Sequence, residues 1–441
     1  MAHKRRAFIT FTAAFAAITP SVVLLSANAE AATTSTVTLS LFNCDSCVPY
    51  AWQISDFEKA YPSIRINLSE VPFGDFYTKE GILAASSSPP DVYDVDQPTI
   101  ANLAAAGALL PLNKYLPASY ISGLNPAAVK EFSYNGQLYS PGPSDTDLAL
   151  YYNKNLLAKT GIHPPTSLSS AWTWQQALSA MESCQQGPKD NPTIWGLAPP
   201  FFGNGVAGFD YYSILFLRSE GSPNAPASSP LYKTFVGIAP NDSTVDGYVN
   251  SPEAVAGASV YQDIYQKDHV SPTSGNPDAF IDGKACFMMQ TSTYIASMNQ
   301  AHVNFGWGVT PFPYIKTPVV HTGTDEVAVS SKTKHLQQAL DFVKFVSSPS
   351  QQEQIITQDG YLPVLKSLYN NAVFKSAPWD IFVQELAKWG VPRPVTPHYL
   401  QYSNVLTKAM TNIADGTSPS SALNQAAEQM DELLRTPAGA I

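Results

Sequence analysis

Apolar and polar positions alternate along Val37-Thr38-Leu39-Ser40-Leu41-Phe42, a period of two that predicts a strand. Residues 50 to 61 then place Tyr50, Ile54, Phe57 and Tyr61 at helical spacing, and Pro62 ends the run. Ile64, Ile66 and Leu68 alternate again. Strand, helix and strand in succession form a parallel crossover unit, which requires an α/β layer with helices on the sheet faces. Asp91 to Val95 reads as the next strand, and residues 98 to 106 as a helix closed by Gly107. Ligands of open α/β sheets sit beyond the carboxyl ends of the strands, which singles out Asn43 to Ser46 and Asp94 to Gln97.

The later pattern continues in the same style. Leu148 to Tyr152 predicts a strand, Asn153 to Thr160 a short helix ended by Gly161, and Trp174 to Glu182 a further helix. Residues 221 to 230, rich in Ser and Pro, form a surface loop. Ser251 caps a helix that has Pro252 at its first position and runs towards Lys267. Leu336 to Val346 is amphipathic, and helices at 404 to 414 and 419 to 434, the second capped by Ser418, close the chain. There is no internal repeat and no low-complexity tract, so the loops are breaks within domains.

With 441 residues, the chain exceeds what one hydrophobic core organises, and two lobes are expected. Charged residues are only 14%, against roughly 25% in average domains, so Ser, Thr, Asn and Gln supply the polarity. A net charge of -10, with no basic cluster beyond the N-terminus, removes the electrostatic footprint of nucleic-acid binding.

That N-terminus is a unit of its own. Lys4, Arg5 and Arg6 precede an apolar stretch ending in small residues, so residues 1–31 read as a secretory signal cut after Ala29 or Ala31. Arg5-Arg6-Ala7-Phe8-Ile9 also fits twin-arginine export, with the Sec route as the alternative. No later segment approaches about 18 unbroken apolar residues, so the mature chain is not expected to span a membrane. The first cysteine, Cys44, lies beyond the signal and in a strand, which disfavours a lipid anchor and points to a free periplasmic protein. Cys44-Asp45-Ser46-Cys47 has the spacing of a redox motif, which thiol–disulfide exchange or a quiet structural pair would both satisfy. Whether Cys184 meets Cys286 is left open.

Several stretches, taken in order, carry a family resemblance. They are Asp56-Phe57-Glu58-Lys59-Ala60-Tyr61-Pro62, Pro90-Asp91-Val92 with Gly107-Ala108-Leu109-Leu110-Pro111-Leu112, and Leu150-Tyr151-Tyr152-Asn153-Lys154. Phe280-Ile281-Asp282-Gly283-Lys284-Ala285-Cys286-Phe287-Met288 and Gly360-Tyr361-Leu362-Pro363 follow. In this order they resemble the carbohydrate-type, maltose-binding-protein-like family of extracellular solute-binding proteins. The resemblance implies a two-lobed α/β periplasmic-binding-protein fold of type II, each lobe a mainly parallel sheet flanked by helices. It further implies one lobe from 37–144 and 322–372, another from 149–315 and 374–441, and a three-strand hinge near 145–148, 316–322 and 372–375. The implied partners are a sugar-like ligand and the permease subunits of an ABC importer, with the protein monomeric, not an enzyme, and without a cofactor or a metal.

A sugar needs carboxylates and amides at its rim and aromatic rings against its C–H faces. The first lobe offers Asn43, Asp45, Asp96 and Gln97 for this, and the crossing offers Asp145. From the second lobe come Phe202, Tyr211, Tyr294, Tyr399 and Tyr402, with Trp307 in addition. Arg and Lys are sparse around these positions, which argues against a phosphorylated or acidic ligand. A near-match to a calcium loop at Asp242 to Glu253 is spoiled by Pro240 and Pro252. The alternatives are a secreted carbohydrate-active enzyme, for which no catalytic signature is present, and a ligand-binding partner of a membrane sensor.

Overall fold

The computed structural model describes residues 36–199 and 209–437. The signal segment and Phe202 lie outside them.

Val37–Cys44 is a central strand. It pairs in parallel with Ile64–Val71, from Val37 opposite Ile64 to Cys44 opposite Val71, and on its other side in parallel with Val92–Asp96. Asp325–Val329 adds to the outer side of Val92–Asp96 in the antiparallel sense, so a late part of the chain completes the first sheet. The helical stripe expected at 50 to 61 becomes the helix Ala51–Ala60. Its buried Phe57 packs edge-on against Phe342 at 5.1 Å and Phe345 at 5.5 Å, both on the amphipathic helix Leu336–Val346.

The second sheet takes the order Trp195–Leu197, Ala285–Thr291, Leu148–Asn153, Trp307–Thr310. Leu148–Asn153 runs against both of its neighbours while Trp195–Leu197 is parallel to Ala285–Thr291, so this sheet is mixed. Helices cover it. Trp174–Cys184 begins with a capping box between Thr173 and Gln176, and Pro252–Gln266 begins with Ser251 accepting from the Ala254 N–H. A disulfide from Cys184 to Cys286 fastens the first of these helices to the sheet, and a second disulfide joins Cys44 to Cys47. Between the sheets, Val320–Thr322 pairs in parallel with Gly390–Pro392, and single bridges join Asp147 to Thr322 and Asp145 to Leu362.

Tyr399–Ala414 starts earlier than the expected residue 404, just after a turn in which the Thr396 hydroxyl accepts from the His398 N–H. Among the described residues no helix is long and apolar enough to cross a membrane.

Candidate ligand-binding cleft

The carboxyl end of Val92–Asp96 delivers Asp96 to the seam between the two lobes. Arg393, which follows the Gly390–Pro392 strand, reaches Asp96 with both terminal nitrogens, one of them at 3.1 Å. The Tyr77 hydroxyl donates to the same carboxylate at 2.7 Å. The guanidinium also lies over the rings of Tyr211 and Tyr399, 5.2 and 5.6 Å from their centroids. Tyr399 in turn donates to Asp210. Arg393 and Asp96 are both buried, so the pair is held away from water. Burial works against the guanidinium's charge, but Asp96 and then Tyr399 outweigh it and keep Arg393 protonated. Its Nε has no partner among the described residues.

Beside this pair a cavity of about 910 Å³ opens between the helices Phe73–Ala85 and Tyr399–Ala414. Phe73, Tyr77, Asn102, Asp210, Tyr399 and Gln401 are among its walls. The volume suits a small organic ligand. Aromatic and hydrogen-bonding side chains share its walls, and the exposed Phe73 and Ile82 add apolar surface. Glu80 also lines it, and burial, with Asp96 adding to it, pushes this carboxyl well above the usual range. Asn102 donates to the Pro397 carbonyl at 2.9 Å and ties the two walls together.

A second chamber, of about 450 Å³, has Asp45 and Ser46 on one side, Gln290, Thr293 and Tyr294 on another, and Gln358 and Asp359 on a third. The walls come very close here. Gly360 ends the helix Pro349–Asp359 at φ 82°, and a Cβ on it would lie 3.0 Å from the Ser292 carbonyl. Below, Tyr50 donates to Asp94 at 2.8 Å. Burial, followed by the charge of Asp96, pushes Asp325 up to about 8.

The segment that leads into the strand Leu148–Asn153 carries its own polar cluster. One oxygen of Asp145 accepts from the Thr146 and Gly323 N–H groups, each at 2.8 Å, and Thr146 donates to the Gly323 carbonyl at 2.7 Å. Burial pushes Asp145 up to about 7 against the pull of these hydrogen bonds and Arg393.

The residues picked from the sequence therefore fall into three groups. Asp96 and Tyr399 meet at Arg393, with Tyr211 beneath the guanidinium, while Asp45 and Tyr294 line the smaller chamber. Asn43, Gln97 and Asp145 are buried behind these surfaces: Asn43 donates to the Val48 carbonyl, and Gln97 packs against Gly323. Tyr402 and Trp307 line neither chamber. Tyr402 is fully buried and donates to the Gly237 carbonyl, and Trp307 is a half-buried strand residue leaning on Tyr151, so both serve packing.

Arg393, Asp210 and Tyr77 were not among the candidates. The expectation that cations are sparse at the site fails at Arg393, although Asp96 occupies its terminal nitrogens. Its only local mark is a pair of flanking prolines, Pro392 and Pro394.

The model of the bacterial extracellular solute-binding protein family matches residues 52–379. The chain belongs to that family. A maltotriose-binding protein of Pyrococcus abyssi is 24% identical over 327 residues, 72% of this chain and 63% of that protein's length. An ABC substrate-binding protein of Listeria monocytogenes, solved with cycloalternan, superposes with a TM-score of 0.76 at 19% identity, covering 91% of this chain and 99% of that one. A solute-binding protein of Thermotoga lettingae, solved with α-D-tagatose, gives 0.74 at 18% identity over 90% and 100% of the two chains. These neighbours share the two-lobed fold.

Proposed function

We propose that this family member captures an oligosaccharide between its lobes and presents it to the permease of an ABC importer, without chemical turnover. The observation that carries the reading is the cavity of about 910 Å³ beside Asp96 and Arg393, with rings from both lobes on its walls. Phe73, Tyr77 and Tyr399 would stack on sugar faces, and Asp210, Asn102 and Gln401 would exchange hydrogen bonds with hydroxyls. Asp45 and Tyr294 would serve a ligand long enough to reach the smaller chamber. The lobes would exchange at 145–148, 316–322 and 372–375, and contacts made to both at once would bias the hinge towards closure. Export through the N-terminal segment would place the protein where such a ligand is met.

The names of the relatives support a saccharide, and the cavity supports one larger than a single ring. Thermal-shift titration with maltotriose and α-D-tagatose tests this. At 100 times Kd a ligand adds about 2.7 kcal/mol, a shift of a few degrees. Maltotriose should raise the melting temperature more than tagatose at equal concentration, with the saccharide recovered intact. No shift from either, or release of shorter sugars, would overturn the reading.

A further inference from the structure

The two disulfides close very different loops. Cys184 and Cys286 are 102 residues apart, whereas Cys44 and Cys47 are separated by 3. In the chain-entropy account a cross-link stabilises a fold in proportion to the logarithm of the loop it closes, so the short one has least to offer the fold. Its ends are also fixed by other means. The Asp45 N–H donates to the Val71 carbonyl at 2.9 Å, and Asn43 donates to the Val48 carbonyl at 3.1 Å across the base of the loop.

What the bond constrains is the apex. Asp45 and Ser46 are exposed between two buried sulfurs, and both face the smaller chamber opposite Thr293 and Tyr294. Thiol exchange suits the site poorly. Both sulfurs are buried, and burial disfavours the thiolate that exchange requires.

We infer that the Cys44–Cys47 disulfide is a positioning device of the ligand site: it holds Asp45 and Ser46 ready to receive ligand hydroxyls, and serves affinity rather than the stability of the fold. This rests on the oligosaccharide reading above. An apex ordered in advance spares the binding step the cost of ordering it, so removing the bond is expected to weaken binding by about tenfold.

The test compares two variants, Cys44→Ser/Cys47→Ser and Cys184→Ser/Cys286→Ser. The first should keep a melting temperature near that of the parent, bind maltotriose about tenfold more weakly, and show faster amide hydrogen exchange at residues 45 to 48. The second should melt well below the parent and bind maltotriose with unchanged affinity below its transition. If the first variant fails to fold or loses as much melting temperature as the second, the bond serves the fold and the inference is overturned. Unchanged exchange at 45 to 48 overturns it as well, whether or not maltotriose binds. If the parent binds no saccharide while exchange at the apex still rises, the function assigned to the cleft fails and the mechanical role of the bond stands.

Discussion

Asp96 and Arg393 are 297 positions apart and meet in a buried, two-pronged contact. Removing one partner strands the other's charge, whereas removing both charges strands neither. Asp96→Asn should therefore lower stability by about 3 kcal/mol and weaken maltotriose binding. The double variant Asp96→Asn/Arg393→Met should recover most of the stability in chemical denaturation. If the double variant is no more stable than the single one, the pair does not hold the seam. Asp96 was legible beforehand because an acid at the carboxyl end of a parallel strand points at the ligand position. Arg393 was not, because nothing in its own neighbourhood announces a partner so distant in the chain. Tyr402 shows the converse: an aromatic residue in a helix gives no sign of whether it faces a core or a cleft, and this one faces the core.

Elements with a one-sided pattern were read well. Leu336–Val346 and the capped start of Pro252–Gln266 stand where periodicity and capping chemistry put them. Asp210–Glu220 was missed because its apolar residues run in blocks, Tyr211-Tyr212 and Ile214 to Leu217, and its polar ones are buried with them, so no one-sided stripe marks a helix. The segment around Asp145, which leads into Leu148–Asn153, carries a prediction of its own. Folded Asp145 is pushed up to about 7 from an ordinary value of 3.8, so the folded state keeps a proton that the unfolded chain releases between those values. The associated stability is complete below pH 3.8 and is lost as pH rises through about 7. Asp325, pushed up to about 8, extends the decline. Melting temperature should fall from pH 5 to pH 8. Asp145→Asn, which imitates the protonated acid, should shrink that fall, and an equally steep fall in the variant would contradict this account of Asp145.

At the scale of the molecule, two sheets each have their own core, and the seam between them combines polar contacts, among them Asp96 with Arg393 and Asn102 with the Pro397 carbonyl, with an apolar cluster that brings Ile356 and Leu362 beside Tyr151, Tyr294 and Ile381. A ligand gripped from both sides of such a seam favours the closed arrangement over the open one. The two-lobed plan was expected from the length of the chain and from the family resemblance, while the chemistry of the seam needed the folded chain. Small-angle X-ray scattering with and without saturating maltotriose tests the claim most directly. The radius of gyration should fall when the sugar is added, and Asp96→Asn without sugar should be more expanded than the parent. A profile that does not change while calorimetry reports maltotriose bound would contradict the shared grip of the two lobes.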